Sequence, residues 1–499
     1  MRLKVYQFRF TPSSLAAGGE IMYNARTFAM SNKSIYRSIW ETISGEERIR
    51  VAVLGSKGSG KTVFLTSLAN HLLNHDPARC PLNGWTVTPV EGDLAAGSDA
   101  DGIPLYPYAD ARKSLADGVW PHKTKDWSVL RLALRLRNGK RRRDVLLEVL
   151  DLPGERVADF PMLGRSYREW CEWMGHAFGG VFGSSDPYKA YCRAAASAKE
   201  LPELFAAYRR FLAEEYAACS LSLTPSTVKL GRDAVSRAGG SADEFLANIA
   251  DVPLGLDAER QFVPLPPACF EPDAPCREWL KRFERSYGAY RRAVVDPITD
   301  WLEDVNQLFY FVDVLGLLQR GPDVYNAEKA FGAQALRMFA RADSANSLVR
   351  GLQRLLDTFI RTRIDGAHVV ATKADRVLSE ENRTRLKNLA RRMFGATLLN
   401  LGLDARHVGV LSCAAVRTTD EYLREKALGA RLDGHSEALT TYRAADVPED
   451  WPDGNAWGIG DARFDFQSTF PRFDRREDRP PPHLGLQDIL VRMLSLQET

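Results

Sequence analysis

The chain has 499 residues, of which 45% are hydrophobic, 26% charged and 10% aromatic; this is enough for a buried core and excludes global disorder, collagen and coiled coil. Its 67 Lys and Arg stand against 64 Asp and Glu, a formal charge of +3, too balanced for a dedicated nucleic-acid binder, so no nucleic-acid partner is expected. No window reaches the roughly 18 consecutive apolar residues of a membrane span.

The length predicts two to four folding units. Seven cysteines and eight histidines are scattered along the chain, without CxxC spacing. Neither a disulfide framework nor a structural zinc site is expected from them, and a reducing, cytoplasmic compartment fits.

Within the N-terminal segment 1–47, residues 1–30 lack clear periodicity and a continuous apolar run. They read as a partly disordered segment rather than a signal peptide, with Met22 and Met30 as alternative starts. A short strand, Ile49–Leu54, ends at Gly55, and a helix with Leu65, Leu68 and Leu72 on one face follows it. Residues 76–126 are rich in Pro, Gly and Asp and read mostly as loop. Leu130, Leu132, Leu134 and Leu136 then alternate with Arg131, Ala133, Arg135 and Arg137. The Asn138-Gly139 turn signal and the strand Val145–Leu150 complete an antiparallel hairpin, expected on a sheet edge. Asp144 reads as a turn residue. Arg135, Arg137 and Lys140–Arg143 make the hairpin tip basic: a solvated tip, or a docking patch for anionic lipid or an acidic partner, or, least favoured, for nucleic acid.

From 161 to 305 the pattern turns helical. Leu204, Phe205, Tyr208, Phe211 and Leu212 repeat at helical spacing, as do Trp279, Leu280, Phe283, Tyr287 and Tyr290, around a Pro-rich stretch at Val252–Pro275. The strand-helix rhythm resumes with strands at Leu308–Val314, Ala367–Thr372 and His407–Ser412 and a helix at Leu348–Ile360. Residues 426–499 are loop-rich before a final helix from about Leu484. This alternation predicts an α/β fold with a parallel sheet. Its core is split into 48–160 and 306–425 around a large helical insertion at 161–305.

The sharpest motif is Gly55-Ser56-Lys57-Gly58-Ser59-Gly60-Lys61-Thr62, a full GxxxxGK[ST] between strand and helix. Glycines let the backbone fold around phosphate, and its N–H groups and the helix N-terminus attract the anion. The loop and Val63 behind it are therefore expected to bind nucleotide. Lys61 would reach the β- and γ-phosphates and Thr62 would bind Mg²⁺. Lys57 either projects toward the phosphates or is solvated.

Asp151-Leu152-Pro153-Gly154 closes the strand before the insertion in the DxxG form. Asp151 would hold Mg²⁺ through water, and the Gly154 N–H would sense the γ-phosphate. Glu155 occupies the place where small GTPases orient the attacking water. It is a catalytic candidate or a salt-bridged switch residue, with Arg156 as the partner considered. A carboxylate there accepts but does not donate a hydrogen bond, so slow hydrolysis is expected. Thr124, in Trp120-Pro-His-Lys-Thr124, lies where a first switch belongs and would complete Mg²⁺ coordination. Lys61, Thr124 and Glu155 are thus the catalytic candidates, and Thr62, Thr124 and Asp151 the metal candidates.

Thr372-Lys373-Ala374-Asp375 follows an apolar strand as a [NT]KxD element. Asp375 would accept from N1–H and the 2-amino group of guanine, a donor pair adenine lacks. Lys373 would pack along the base. Thr372 replaces the commoner Asn, whose role is mostly to brace the phosphate loop. At the last strand's end, an N–H of Cys413 or Ala414 would meet guanine O6. The order of motifs favours GTP/GDP over adenine nucleotides.

These motifs, with Asp159-Phe-Pro-Met-Leu163, Phe311-Val-Asp-Val-Leu315, Gly321-Pro322, Ala414-Ala-Val-Arg417, Phe470-Pro-Arg-Phe473 and Pro482-His483, resemble the YcjX-like family of bacterial P-loop proteins over most of residues 32–499. The resemblance implies a Ras-like GTPase core with a large helical insertion and a link to envelope or heat stress. It also implies a membrane-anchored partner of the YcjF-like type, hence a peripheral place at the inner membrane. Arg156 stands where that family often has Trp. The expectation is a Mg²⁺-dependent guanine-nucleotide switch with slow GTP hydrolysis. An ATPase and a nucleotide-gated scaffold without useful turnover are the alternatives.

Overall fold

The computed structural model describes residues 47–90, 103–122, 127–176, 178, 186–219, 224–230, 241–339, 364–457, 462–474, 476 and 479–496. Almost all of the N-terminal segment, Thr124 and the helix expected at 348–360 lie outside the described residues. Seven strands are β1 (Glu47–Gly55), β2 (Thr86–Pro89), β3 (Ser128–Asn138), β4 (Arg141–Asp151), β5 (Gln307–Val312), β6 (Gly366–Thr372) and β7 (Val408–Cys413). They form one sheet in the order β2-β3-β4-β1-β5-β6-β7. β1, β5, β6 and β7 run parallel, with Val51 opposite Gln307, Gln307 opposite Gly366 and Thr372 opposite Cys413. Every residue of β5 and β6 is buried, as befits central strands covered on both faces.

β3 and β4 pair antiparallel across Asn138-Gly139, and all four alternating leucines of β3 are buried. The hairpin is not the edge, however. β2 pairs outside it, Thr86 opposite Arg137. A four-residue strand ending in proline is too short to show alternation. The same stretch also holds a helix, α2 (Tyr108–Ala116), which buries Ala111, Leu115 and Ala116. Asp144 is a strand residue rather than a turn residue. It lies opposite Arg135 and pairs with Arg135 at 2.9 Å and Arg142 at 2.5 Å. Those hydrogen bonds hold its carboxyl well below the usual range.

α1 (Lys61–Leu73) follows β1 and is buried on nearly every side. Its Phe64, Leu65, Leu68 and Leu72 share a core with Leu486, Ile489 and Leu490 of the final helix, α12 (Leu486–Met493). Between β4 and β5 come a 3₁₀ turn (Gly154–Met162) and helices α3 (Tyr167–His176), α4 (Asp186–Ser197), α5 (Leu201–Cys219), α6 (Ala242–Ile249), α7 (Leu280–Tyr290) and α8 (Asp296–Leu302). Rings fill their core: Trp170 packs on Phe262 and Tyr287 at 5.5 and 5.4 Å, and Tyr191 on Tyr208 at 5.2 Å.

The Pro-rich stretch is ordered by these rings. Tyr167 and Tyr191 donate to the Val263 and Pro264 carbonyls at 2.6 Å each. This satisfies backbone acceptors that no helix or strand could. The apolar core runs on without a break into Leu54, Leu150 and Leu308 of the sheet. Cys269 and Cys276 form a disulfide, Cα atoms 5.3 Å apart. The scatter of cysteines along the chain excludes a framework of bridges but not a local pair across one turn.

After β6 come α11 (Ser379–Leu399) and β7. A small antiparallel sheet follows, β10-β9-β8, made of β8 (Thr419–Tyr422), β9 (Ala427–Ala430) and β10 (Thr440–Arg443). It lies mostly in the stretch expected to be loop. No described helix is long and apolar enough to cross a membrane.

Candidate nucleotide site

The turn from β1 into α1 begins at the carboxyl edge of the sheet. Gly60 precedes the helix with φ 92°, and no side chain caps the first turn. The N–H groups of that turn therefore face the loop, where helix ends favour an anion. Lys61 is 7% exposed. Its Nζ donates to the Gly55 and Ser56 carbonyls at 2.7 and 3.1 Å. Burial lowers its pKa, against the pull of Asp151, Glu155 and Glu328. The first turn is pinned from behind: Thr66 Oγ1 and the Tyr106 hydroxyl both donate to the Thr62 carbonyl, at 2.8 and 2.9 Å.

Asp151 ends β4, fully buried. Gly154 lies against the phosphate loop so closely that an added Cβ would stand 2.7 Å from Lys57 N and 2.8 Å from the Gly55 oxygen. Only glycine fits there, and the two motifs touch through backbone. Glu155 pairs with Lys57 at 3.8 Å, not with Arg156. Arg156 instead donates to Ser226 Oγ at 3.0 Å. Neighbours in a 3₁₀ turn point about 120° apart, so adjacency in sequence was a poor guide to the pair. Lys57 is accordingly turned toward Glu155, with its side chain 27% exposed.

The base motif is assembled by the β6–β7 register. Thr372 Oγ1 donates to the Val312 carbonyl at 3.2 Å, bracing the adjacent strand rather than the phosphate loop. The Lys373 ammonium pairs with Asp313, which caps α9 (Val314–Arg320) by accepting from Gly316 N at 3.0 Å. Asp375 is buried, and its Oδ2 accepts from Thr418 N and Oγ1 at 2.7 and 2.6 Å. The Ala414 N–H donates to the Leu484 carbonyl at 2.9 Å and Leu484 N returns the bond. Of the two N–H groups expected to meet a base carbonyl, Cys413 or Ala414, that of Ala414 is thus already bonded to Leu484.

A description of the YcjX-like family, DUF463, matches residues 49–496. The chain belongs to the YcjX-like family. Over 144 residues it is 36% identical to the Ras-like GTPase YcjX of Escherichia coli (strain K12), a match covering 26% of this chain and 30% of that protein. Over 148 residues it is 34% identical to the Ras-like GTPase YcjX of Shewanella oneidensis, again 26% and 30%. The matched part thus spans under a third of each curated relative.

Two further residues of this YcjX-like chain belong to the site and carried no sequence signal. Glu328, on α10 (Pro322–Arg337), is 1% exposed, and its Oε1 accepts from the Tyr310 hydroxyl at 2.7 Å. Burial raises its pKa, opposed by the Tyr310 and Ser56 hydroxyls and by Arg320 and Lys61. A lone glutamate on a helix reads as solvated. Here it forms the floor beneath the phosphate loop. Thr418 lies in the turn after β7, where a threonine is ordinary until its partner is seen.

Proposed function

We propose that this chain is a Mg²⁺-dependent guanine-nucleotide switch that hydrolyses GTP slowly. The observation that carries the reading is convergence. The phosphate loop, Asp151–Gly154 and the Asp375–Thr418 pair all lie at the carboxyl ends of β1, β4, β6 and β7, where open α/β sheets bind ligands. β1 and β6 are two places apart, about 10 Å, a span that a nucleoside bridges from phosphate to base. The curated relatives' description as Ras-like GTPases supports guanine as the base.

In this reading the loop N–H groups and Lys61 bind the β- and γ-phosphates, and Asp375 accepts from guanine N1–H and the 2-amino group. Thr418 orients that carboxylate, with both of its donors on one oxygen. The hydroxyl of Thr62 and the buried carboxylate of Asp151 are hard oxygen donors of the kind Mg²⁺ takes. They would hold the ion, with Thr124 completing the set, and the ion would neutralise charge on the phosphate oxygens. Glu155, drawn to Lys57, accepts a hydrogen bond from water but repels the γ-phosphate, which favours slow turnover. The 3₁₀ turn after Gly154 leads into residues 161–305, and its Asp159 binds Ser226 and Tyr290 there. Movement of the switch is thereby passed to the insertion, which we read as an effector arm facing a membrane-anchored partner of the YcjF-like type in a stress response.

Isothermal titration with GDP, GTP, ADP and ATP, each with and without Mg²⁺, tests the reading. The expected result is tight, Mg²⁺-dependent binding of guanine nucleotides alone. Preference for adenine nucleotides would replace it with an ATPase. Binding of GTP without phosphate release in single turnover would replace it with a nucleotide-gated scaffold.

A further inference from the structure

Behind the nucleotide site the fold gathers three side chains that sequence spacing keeps apart. His71 is in the last turn of α1, Cys80 is in the loop after it, and His483 lies three residues before α12. One ring nitrogen of each histidine and Cys80 Sγ lie within 4.8 Å of one another. His71 and Cys80 are fully buried and His483 partly so. The expectation of no zinc-type cluster rested on local spacing, and this cluster is made by tertiary contact.

The hydrogen bonding at these residues is that of ligands. His71 Nε2 lies 2.9 Å from the Pro481 carbonyl. A carbonyl only accepts, so Nε2 carries the proton and Nδ1 keeps its lone pair. Among the described residues that buried Nδ1 makes no hydrogen bond, and the ring nitrogens of His483 have no partner beyond the nearby Arg79 backbone. The Arg79 backbone comes near the His483 ring, out of hydrogen-bond geometry with either nitrogen. Each unmatched buried polar atom costs about 1–3 kcal/mol, and a native fold that collects them around a thiol has a use for their lone pairs.

His75 is excluded as a ligand. Its Nδ1 accepts from Val87 N at 3.2 Å and its Nε2 donates to the Cys80 carbonyl at 3.0 Å, so it holds the loop that presents Cys80. Burial pushes the Cys80 thiol up to about 12, with Asp488 adding to the shift, and pushes His71 down to about 4, with His483, His75 and Arg79 adding. Both imidazoles are pushed toward the neutral, ligating form.

The geometry points to a zinc site in which His71 Nδ1, one nitrogen of His483 and the Cys80 sulfur bind one Zn²⁺, with water as the fourth ligand. As the S–Zn bond forms, the thiol proton leaves to solvent. Two imidazoles and a thiolate suit Zn²⁺ and not Mg²⁺. Tetrahedral zinc needs these atoms about 3.3–3.6 Å apart, and they lie within 4.8 Å of one another, so the side chains would close by at most about 1.5 Å. The Pro481 carbonyl is the outer partner that orients His71.

The ion would strap α1 to the segment Pro481–Leu484. That segment already holds the turn after β7: Leu484 exchanges two hydrogen bonds with Ala414, and Arg417 N donates to the Pro482 carbonyl at 2.6 Å. The site stands whether or not guanine is the ligand at the other face.

The test uses the full chain, stripped with a chelator under anaerobic conditions. Zn²⁺ is titrated against a chromophoric chelator, and Co²⁺ serves as the spectroscopic probe. The expected result is one Zn²⁺ per chain bound tighter than ~1 μM. Cobalt should give a thiolate-to-metal charge-transfer band with the intense visible bands of a tetrahedral ion. Cys80→Ser and, separately, His483→Gln should each weaken Zn²⁺ binding more than about 100-fold, because loss of an outer partner alone costs ~10–100-fold. Cys192→Ser, at a half-buried free thiol, should change nothing. His483 is partly exposed, so its variant keeps the test valid if Cys80→Ser misfolds. Absence of the charge-transfer band, its survival in Cys80→Ser, or unchanged Zn²⁺ affinity in His483→Gln would overturn the proposal.

Discussion

The carboxyl edge of the sheet and the helical insertion bury polar groups in opposite ways. At the edge, charges gather with partners that a ligand can replace: Lys61 leans on two backbone carbonyls among Asp151, Glu155 and Glu328, and Asp375 binds through one oxygen to Thr418. In the insertion, rings form the solid and the hydroxyls of Tyr167, Tyr191 and Tyr208 have fixed backbone acceptors, Tyr208 the Thr224 carbonyl at 2.6 Å. The edge is arranged for exchange of partners and the insertion for permanence. Asp159 joins them. It is a buried carboxylate in the 3₁₀ turn after Gly154, bound by Ser226 N at 2.9 Å and by the Tyr290 hydroxyl at 2.7 Å. Its pKa is raised because burial outweighs those bonds and the Arg156 charge.

The contrast makes ordered predictions. Lys61→Ala should abolish measurable nucleotide binding in isothermal titration, with only a small change in thermal stability, because release from burying its charge offsets the two carbonyl bonds lost. A parallel drop in melting temperature would mean that Lys61 is part of the permanent structure. Trp170→Ala should do the reverse. Losing the fully buried ring should cost ~3–5 kcal/mol in urea unfolding while isolated-site nucleotide contacts persist. A small loss there would show the ring core to be loosely packed.

Thr418→Val should leave phosphate binding intact and cost about 1–1.5 kcal/mol of affinity for guanine over inosine nucleotides, read by competition. Asp375→Asn should shift preference toward xanthine, whose O2 an amide can donate to. Unchanged base preference in both variants would remove this pair from base recognition.

The smallest effect concerns His368 on β6, a permanent element. Burial, with Arg492 and His407 adding, pushes its pKa down to about 3. A folded value below the ordinary 6.5 means that the neutral ring is favoured in the fold. Its contribution is full above pH 6.5 and is lost as pH falls toward 3. Between pH 6.5 and 5.5 the native chain should lose about 1 kcal/mol that a His368→Leu variant does not lose. Parallel pH profiles for the two proteins, measured by urea unfolding, would show that the ring does not titrate on unfolding.

What the sequence determined by itself was everything carried by a contiguous run of backbone. The phosphate loop, the Asp151–Gly154 turn and the Thr372–Asp375 element are local conformations, each set by glycines, a strand end and a helix start. The alternating leucines of β3 and the ring spacing of α5 and α7 were legible for the same reason, since a regular element writes its period into consecutive residues. Tertiary structure alone decided which side chains meet. Asp375 and Thr418 are 43 residues apart, Lys57 rather than Arg156 meets Glu155, and Ala414 N–H faces Leu484. β2 and α2 are too short to carry a period, and the Pro-rich stretch is ordered by tyrosine hydroxyls from elsewhere. Glu328 beneath the phosphate loop and the His71, Cys80 and His483 cluster follow the same rule. Packing brings distant side chains together, and no spacing along the chain records it.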